Sequence, residues 1–138
     1  MNIILDSNIL FSALIKDSIT RKLILGYKGH FLFPSYIFDE LQKHKVRLVD
    51  ISGMSTDDFS ILLQMLLSKV MIIPSEIIRG HKEEAYNLVK DIDPEDVIFI
   101  ACALAFPHSI LWSEDKRLKR QGKVKVMNTK EMMNILIL

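Results

Sequence analysis

Five short apolar runs, spaced by stretches of helical periodicity, constrain what this chain can fold into more than any other feature. Residues 2–5, 30–33, 70–73, 109–112 and 124–126 are too short for helices, and most are rich in β-branched or aromatic side chains, so they read as strands. A helix is expected after the first run, with Asn8 as its cap and its end near Ile15. A second follows Asp17-Ser18, carries Ile19, Leu23 and Ile24, and is ended by Gly26 and Gly29. Pro34-Ser35 turns the chain into a third beginning near Tyr36, whose apolar stripe of Ile37, Leu41 and Leu48 also contains Glu40. Residues 50–53 read as a loop. Ser55 with Asp58 resembles a capping box for a helix through Leu67, with Ile61, Leu62, Met65 and Leu66 on its apolar face. Ala85, Leu88 and Val89 mark a helix to about Lys90. Asp93-Pro94-Glu95-Asp96 then opens a helix over 97–106 that is apolar nearly all round and therefore central. A last helix is capped by Asn128 or Thr129 and ends in Met132, Met133, Ile135 and Leu136.

Strand and helix in alternation predict an α/β fold, a mainly parallel sheet with helices on both faces. With 138 residues, 49% of them apolar, the chain suits one domain spanning 1–138 with a core of its own. A formal charge of +1 gives no overall pull toward nucleic acid or membrane, so the placement of charges has to decide. The longest apolar stretch, 97–106, is about half of the roughly 20 residues that a spanning helix needs. The first run lacks a basic leader and breaks at Asp6, so no signal peptide is expected. The single cysteine, Cys102, cannot form an internal disulfide, which fits a reducing cytoplasm. A soluble cytoplasmic protein is expected.

A charge at the exit of a buried strand needs a reason. Asp6 leaves the first strand as Asp115 leaves the fourth, and the carboxyl edge of an open parallel sheet is where ligands bind. Glu40 and Asp96 lie on the inward sides of their helices, Asp96 sharing a side with Ile100 and Ala103. Four carboxylates facing one cleft repel each other and lose hydration, and a cation resolves both costs. An all-oxygen site with open positions suits Mg²⁺ or Mn²⁺ and metal-assisted phosphodiester hydrolysis. Taken singly, each acid has a structural use: Asp6 as a turn former, Glu40 as a helix acid beside Lys43 or His44, Asp96 in a capping interaction with Asp93, and Asp115 at a helix start. Asp93 is also the alternative ligand to Asp96. Two basic stretches each follow a candidate acid: Lys43, His44, Lys45 and Arg47, then Lys116, Arg117, Lys119, Arg120, Lys123 and Lys125. They read as polyanion-steering patches or as solvated faces. The four histidines show no zinc-like pairing, and Met132 and Met133 read as core or dimer surface.

At these residues the chain resembles the PIN domain family of metal-dependent ribonucleases, which includes many prokaryotic toxins of toxin–antitoxin pairs. Ile3-Ile4-Leu5-Asp6-Ser7-Asn8-Ile9-Leu10 is similar to the family's opening strand, and Glu40-Leu41 to the Glu-Leu of its early helix. Asp93-Pro94-Glu95-Asp96 leading into Phe99, Ala101 and Ala103 resembles its central acidic helix start, and Ser113-Glu114-Asp115-Lys116-Arg117-Leu118 its late Thr-x-Asp segment. The resemblance implies a three-layer sandwich around about five parallel strands, with Asp6, Glu40, Asp96 and Asp115 as catalytic residues binding one or two ions of Mg²⁺ or Mn²⁺. Ser7, Asn8 and Ser113 would orient those carboxylates, serine standing at 7 and 113 where threonine is commoner. It further implies an RNA substrate cut by in-line attack of an activated water to a 5′-phosphate and a 3′-hydroxyl. Lys116, Arg117, Lys119 and Arg120 would then hold the RNA backbone, and the partners would be an antitoxin protein and a second copy of the chain, with no membrane. Two other readings differ in class. A haloacid-dehalogenase-type phosphohydrolase needs a second Asp two residues after the first, where this chain has Asn8. A non-catalytic RNA- or protein-binding PIN-like module has no need of all four acids.

Overall fold

The computed structural model describes residues 1–136, so the last two residues of the expected 1–138 unit lie outside the described residues. Strands β1 (Ile3–Leu5), β2 (Phe31–Pro34), β3 (Val70–Ile73), β4 (Ile110–Trp112) and β5 (Lys125–Met127) form one sheet in the order β3-β2-β1-β4-β5. Every pairing in it is parallel. The five expected runs are these five strands, with ends moved by a residue or two. β1 is central and wholly buried, paired through Ile4↔Leu32 on one side and Ile3↔Ile110, Ile4↔Leu111 and Leu5↔Trp112 on the other. That environment explains its uninterrupted apolar sequence.

Helices α1 (Ser7–Ile15) and α2 (Ile19–Gly26) connect β1 to β2, and α3 (Ile37–Ser52) and α4 (Thr56–Leu67) connect β2 to β3. The return from β3 to β4 runs through α5 (Ser75–Arg79), α6 (Lys82–Val89) and α7 (Val97–Leu104), and α8 (Thr129–Met133) follows β5. Right-handed crossovers in opposite directions from the centre place α1 to α4 on one face and α5 to α7 on the other. The result is the expected α/β sandwich. α7 packs on β1, β2 and β4, and buries Phe99, Ile100, Ala101, Cys102 and Ala103, which is why it has no polar face. No helix of the described residues is long and apolar enough to cross a membrane.

Several local expectations are corrected. The cap of α1 is Asp6, whose Oδ1 accepts from Ile9 N at 2.9 Å, while Asn8 lies inside the helix with its side chain exposed. The chain passes from β1 into α1 with a single residue between them, which leaves only Asp6 in the capping position. Residues 50–52 continue α3, and the helix stops at Gly53, whose φ of 70° is the left-handed conformation that ends helices at glycine. On α4 the inward residues are Phe59, Leu62 and Leu66, whereas Ile61 and Met65 are exposed. α5 went unread because five residues are too few to display a period. The last helix stops at Met133, and Leu136 is buried beyond its end.

Candidate active site

The sheet reverses direction of winding between β1 and β4, and at such a switch point the loops leaving adjacent strands part to form a crevice. Asp6 and Ser113 leave these two strands side by side: Asp6 N donates to Trp112 O at 3.2 Å. Both are buried, Asp6 being 7% and Ser113 2% exposed. Burial pushes the Asp6 carboxyl up from its ordinary pKa, hydrogen bonds from Ser113 and Ile9 pull it back, and the charges of Glu114 and Asp115 push it up further. Ser113 also fixes the next acid, its Oγ accepting from Asp115 N at 3.1 Å. The Ser113 hydroxyl therefore bonds the Asp6 carboxylate and the backbone N–H of Asp115.

Across the crevice, Glu40 of α3 and Asp96 join Asp6 in lining a cleft of about 660 Å³. Tyr36, one helical turn before Glu40, stands among them. Its hydroxyl is 2.8 Å from Ser7 Oγ, its ring packs against Phe33 and Phe99, and burial and then the charges of Glu40, Asp6 and Asp96 raise its pKa. Ser7 thus meets the acids through Tyr36, a residue that the sequence reading did not single out. Its signal was an aromatic hydroxyl spaced i, i+4 from a candidate acid. Asn8 lines the same cleft. Glu40 is half-buried, with Oε2 3.4 Å from His44 Nε2.

Asp96 closes a 3-10 turn, Pro94–Asp96, immediately before α7. Asp93 is the cap of that turn, Oδ1 accepting from Glu95 N at 3.0 Å. Burial raises Asp96 to about 7, with further push from Asp93, Asp6 and Asp115 and a small opposing pull from Arg117. Carboxylate oxygens of Asp93, Asp96 and Asp115 lie within 4.8 Å of one another. Asp96 is therefore common to two groups: the cleft acids Asp6 and Glu40, and the rim acids Asp93 and Asp115. Neither Asp6 nor Glu40 belongs to the mutually close trio.

Arg117 partly neutralises the rim. It donates from Nε to Asp115 Oδ1 at 3.0 Å, and from Nη2 to Asp115 Oδ2 at 2.8 Å and Asp93 Oδ2 at 3.0 Å. These contacts hold Asp115 below the ordinary carboxylate range. The donor set is all oxygen, and Asp96 remains crowded despite Arg117, so the residues fit a hard divalent cation such as Mg²⁺ or Mn²⁺ better than a soft one. Elsewhere in the late basic stretch, Lys119 pairs with Glu131 at 2.5 Å and Lys123 with Glu84 at 3.7 Å, while Lys116 and Arg120 are exposed.

Residues 4–137 match the PIN domain family. Among solved structures, VapBC2 from Rickettsia felis, bound to a DNA fragment from their promoter, is similar in fold, with a TM-score of 0.67 and 20% identity over 93% of this chain and 98% of that one. No curated protein matches the chain. The five-stranded parallel sheet, the acids at its carboxyl edge and a match across nearly all of its length lead to one assignment: the chain belongs to the PIN domain family.

Proposed function

We propose that this protein is a divalent-metal-dependent endoribonuclease that acts in the cytoplasm as the toxin of a toxin–antitoxin pair. The observation that supports it most is the crowding of Asp96, half-buried at the carboxyl edge of the sheet, close to Asp93 and Asp115 and facing the charge of Asp6. Asp6, Glu40, Asp96 and Asp115, with Asp93 as the alternative ligand, would hold Mg²⁺ or Mn²⁺, which supplies activation of water and stabilisation of charge on the phosphate and leaving oxygen. The chain's own part is positioning. Ile9 N–H and the Ser113 hydroxyl fix Asp6, Ser113 also fixes the backbone before Asp115, and Ser7 fixes Tyr36 beside Glu40 and Asp96. Fold likeness to VapBC2 supports an antitoxin partner.

Arg117 favours a second reading, a non-catalytic RNA- or protein-binding PIN-like module, because its guanidinium already bridges Asp93 and Asp115. Incubation of end-labelled single-stranded and structured RNAs with Mg²⁺, Mn²⁺ or chelator separates the two. Cleavage that needs the metal and leaves a 5′-phosphate and a 3′-hydroxyl is the expected result. RNA binding without cleavage in either metal would transfer the assignment to the module.

A further inference from the structure

The two basic stretches have different fates in the fold. In the late one, Arg117, Lys119 and Lys123 are each engaged by a carboxylate, and none of its residues lines the cleft. The early one runs along α3 from the acid itself. Lys43 and Arg47 line the cleft that also holds Asp6, Glu40 and Asp96, both are exposed, and neither has a carboxylate within ion-pair distance among the described residues. They stand one helical turn apart on one face, about 6 Å along the axis. Lys45, between them in sequence, does not line the cleft.

Aromatic surface adjoins this cationic wall. Phe11 of α1 lines the same cleft half-buried, and its ring meets His44 edge-on at 5.8 Å. His44 in turn contacts Glu40, so ring, wall and acid form one continuous surface. Cations spaced along a groove and an aromatic face beside them are what a single strand of nucleic acid requires: phosphates meet the charges, and an unstacked base meets the ring. The cleft volume is in the range of sites that enclose a small organic ligand. It has room for a nucleotide, and a base already stacked within a duplex cannot reach Phe11.

We propose that Lys43, Arg47 and Phe11 form the subsite that holds the RNA strand next to the scissile phosphate, in place of the late basic stretch. This rests on the ribonuclease reading above. Lys43 and Arg47 are positioning residues, acting on binding rather than on the reacting atoms.

The test uses the full chain and a fluorescent single-stranded RNA oligonucleotide, with anisotropy in chelator for affinity and cleavage in Mn²⁺ for KM and kcat. Lys43→Gln with Arg47→Gln should raise Kd and KM about tenfold, leave kcat within about twofold, and lower the salt slope of binding by about 1.4, two single-strand phosphate contacts. Lys45→Gln should change none of these. Phe11→Leu keeps an apolar side chain but loses the ring face, and should weaken single-strand binding by roughly tenfold without altering the salt slope. If Phe11→Leu does not fold, as judged by its melting curve, the lysine–arginine pair decides alone. Wild-type cleavage with an unchanged KM and salt slope in that double variant would overturn the subsite and leave the ribonuclease standing. A raised KM in Arg117→Gln with none in the double variant would return the role to the late stretch. Wild-type protein that neither binds nor cleaves RNA overturns both.

Discussion

Asp93 and Asp96 lie three residues apart, and the fold gives them unlike tasks. Asp93 Oδ1 caps a turn, and asparagine caps about as well as aspartate. Asp93→Asn is therefore expected to melt near the wild-type temperature and to keep most cleavage, losing only the charge that faces Arg117. Asp96 is crowded by three acids, and its role in the proposed site is charge. Asp96→Asn should fold, be at least as stable as wild type without metal, and lose cleavage by orders of magnitude, with excess Mn²⁺ restoring part of it. A dead Asp93→Asn beside an active Asp96→Asn would move the ligand to Asp93. Burial first, and the neighbouring acids second, set a pH dependence. Asp96 titrates at about 7 in the fold against an ordinary 3.8, so between those values the folded chain holds a proton that the unfolded chain has released. Metal-free stability should then fall as pH rises from about 4 to about 7 and level off above. Allowing for partial exposure, the loss is on the order of 2 kcal/mol, a shift of several degrees in melting temperature. Saturating Mn²⁺ should remove this slope, since a bound cation holds the carboxylate charged. Thermal melts across that range in chelator and in Mn²⁺ check it, and a melting temperature that climbs with pH in chelator would show that Asp96 is not crowded.

Among the elements, what was legible in the sequence is what depends on neighbours in the chain. β1, β2 and β4 stood out because strands buried on both faces of a parallel sheet read as apolar runs, the edge strands β3 and β5 by their β-branched residues although Met71 and Lys125 are exposed, and the Ser18, Ser55 and Asn128 caps because their partners are three residues away. Asp6 and Asp115 were placed at one sheet edge by the same strand-exit pattern. The bridge from Arg117 to Asp93 could not be read, because it depends on how two loops more than twenty residues apart approach one another. Tyr36 carried only the i, i+4 spacing from Glu40, because its place among the acids comes from its ring meeting Phe99 of α7, far away in sequence. The end of α3 was legible in part: residues 50–53 read as a loop, and of these only Gly53 lies outside the helix. Its positive φ makes a specific outcome expected. A Cβ there meets open space, so Gly53→Ala costs only backbone strain, about 1 kcal/mol, and should lower the melting temperature by a few degrees while leaving cleavage per folded molecule unchanged. A drop of more than about 10 °C in a calorimetric scan would mean that Gly53 does more than end the helix.

At the scale of the whole molecule, the core is one continuous cluster, drawn from both helical layers and from the sheet between them. Its hub, β1, is made before the other four strands and finds one of its two neighbours early, in β2, but the other, β4, more than a hundred residues later. Pairings so distant in sequence are slow to close, and elements generally become available in the order of synthesis. The order of the sheet therefore has a meaning in time. While the chain is being translated, Asp6 and Glu40 emerge into the cell well before Asp96, and Asp115 last of all. The cleft lacks the side made by Glu95, Asp96 and Phe99 until α7 has docked on β1. A centre built in this order, on the ribonuclease reading proposed above, stays unassembled until nearly all of the chain has been made.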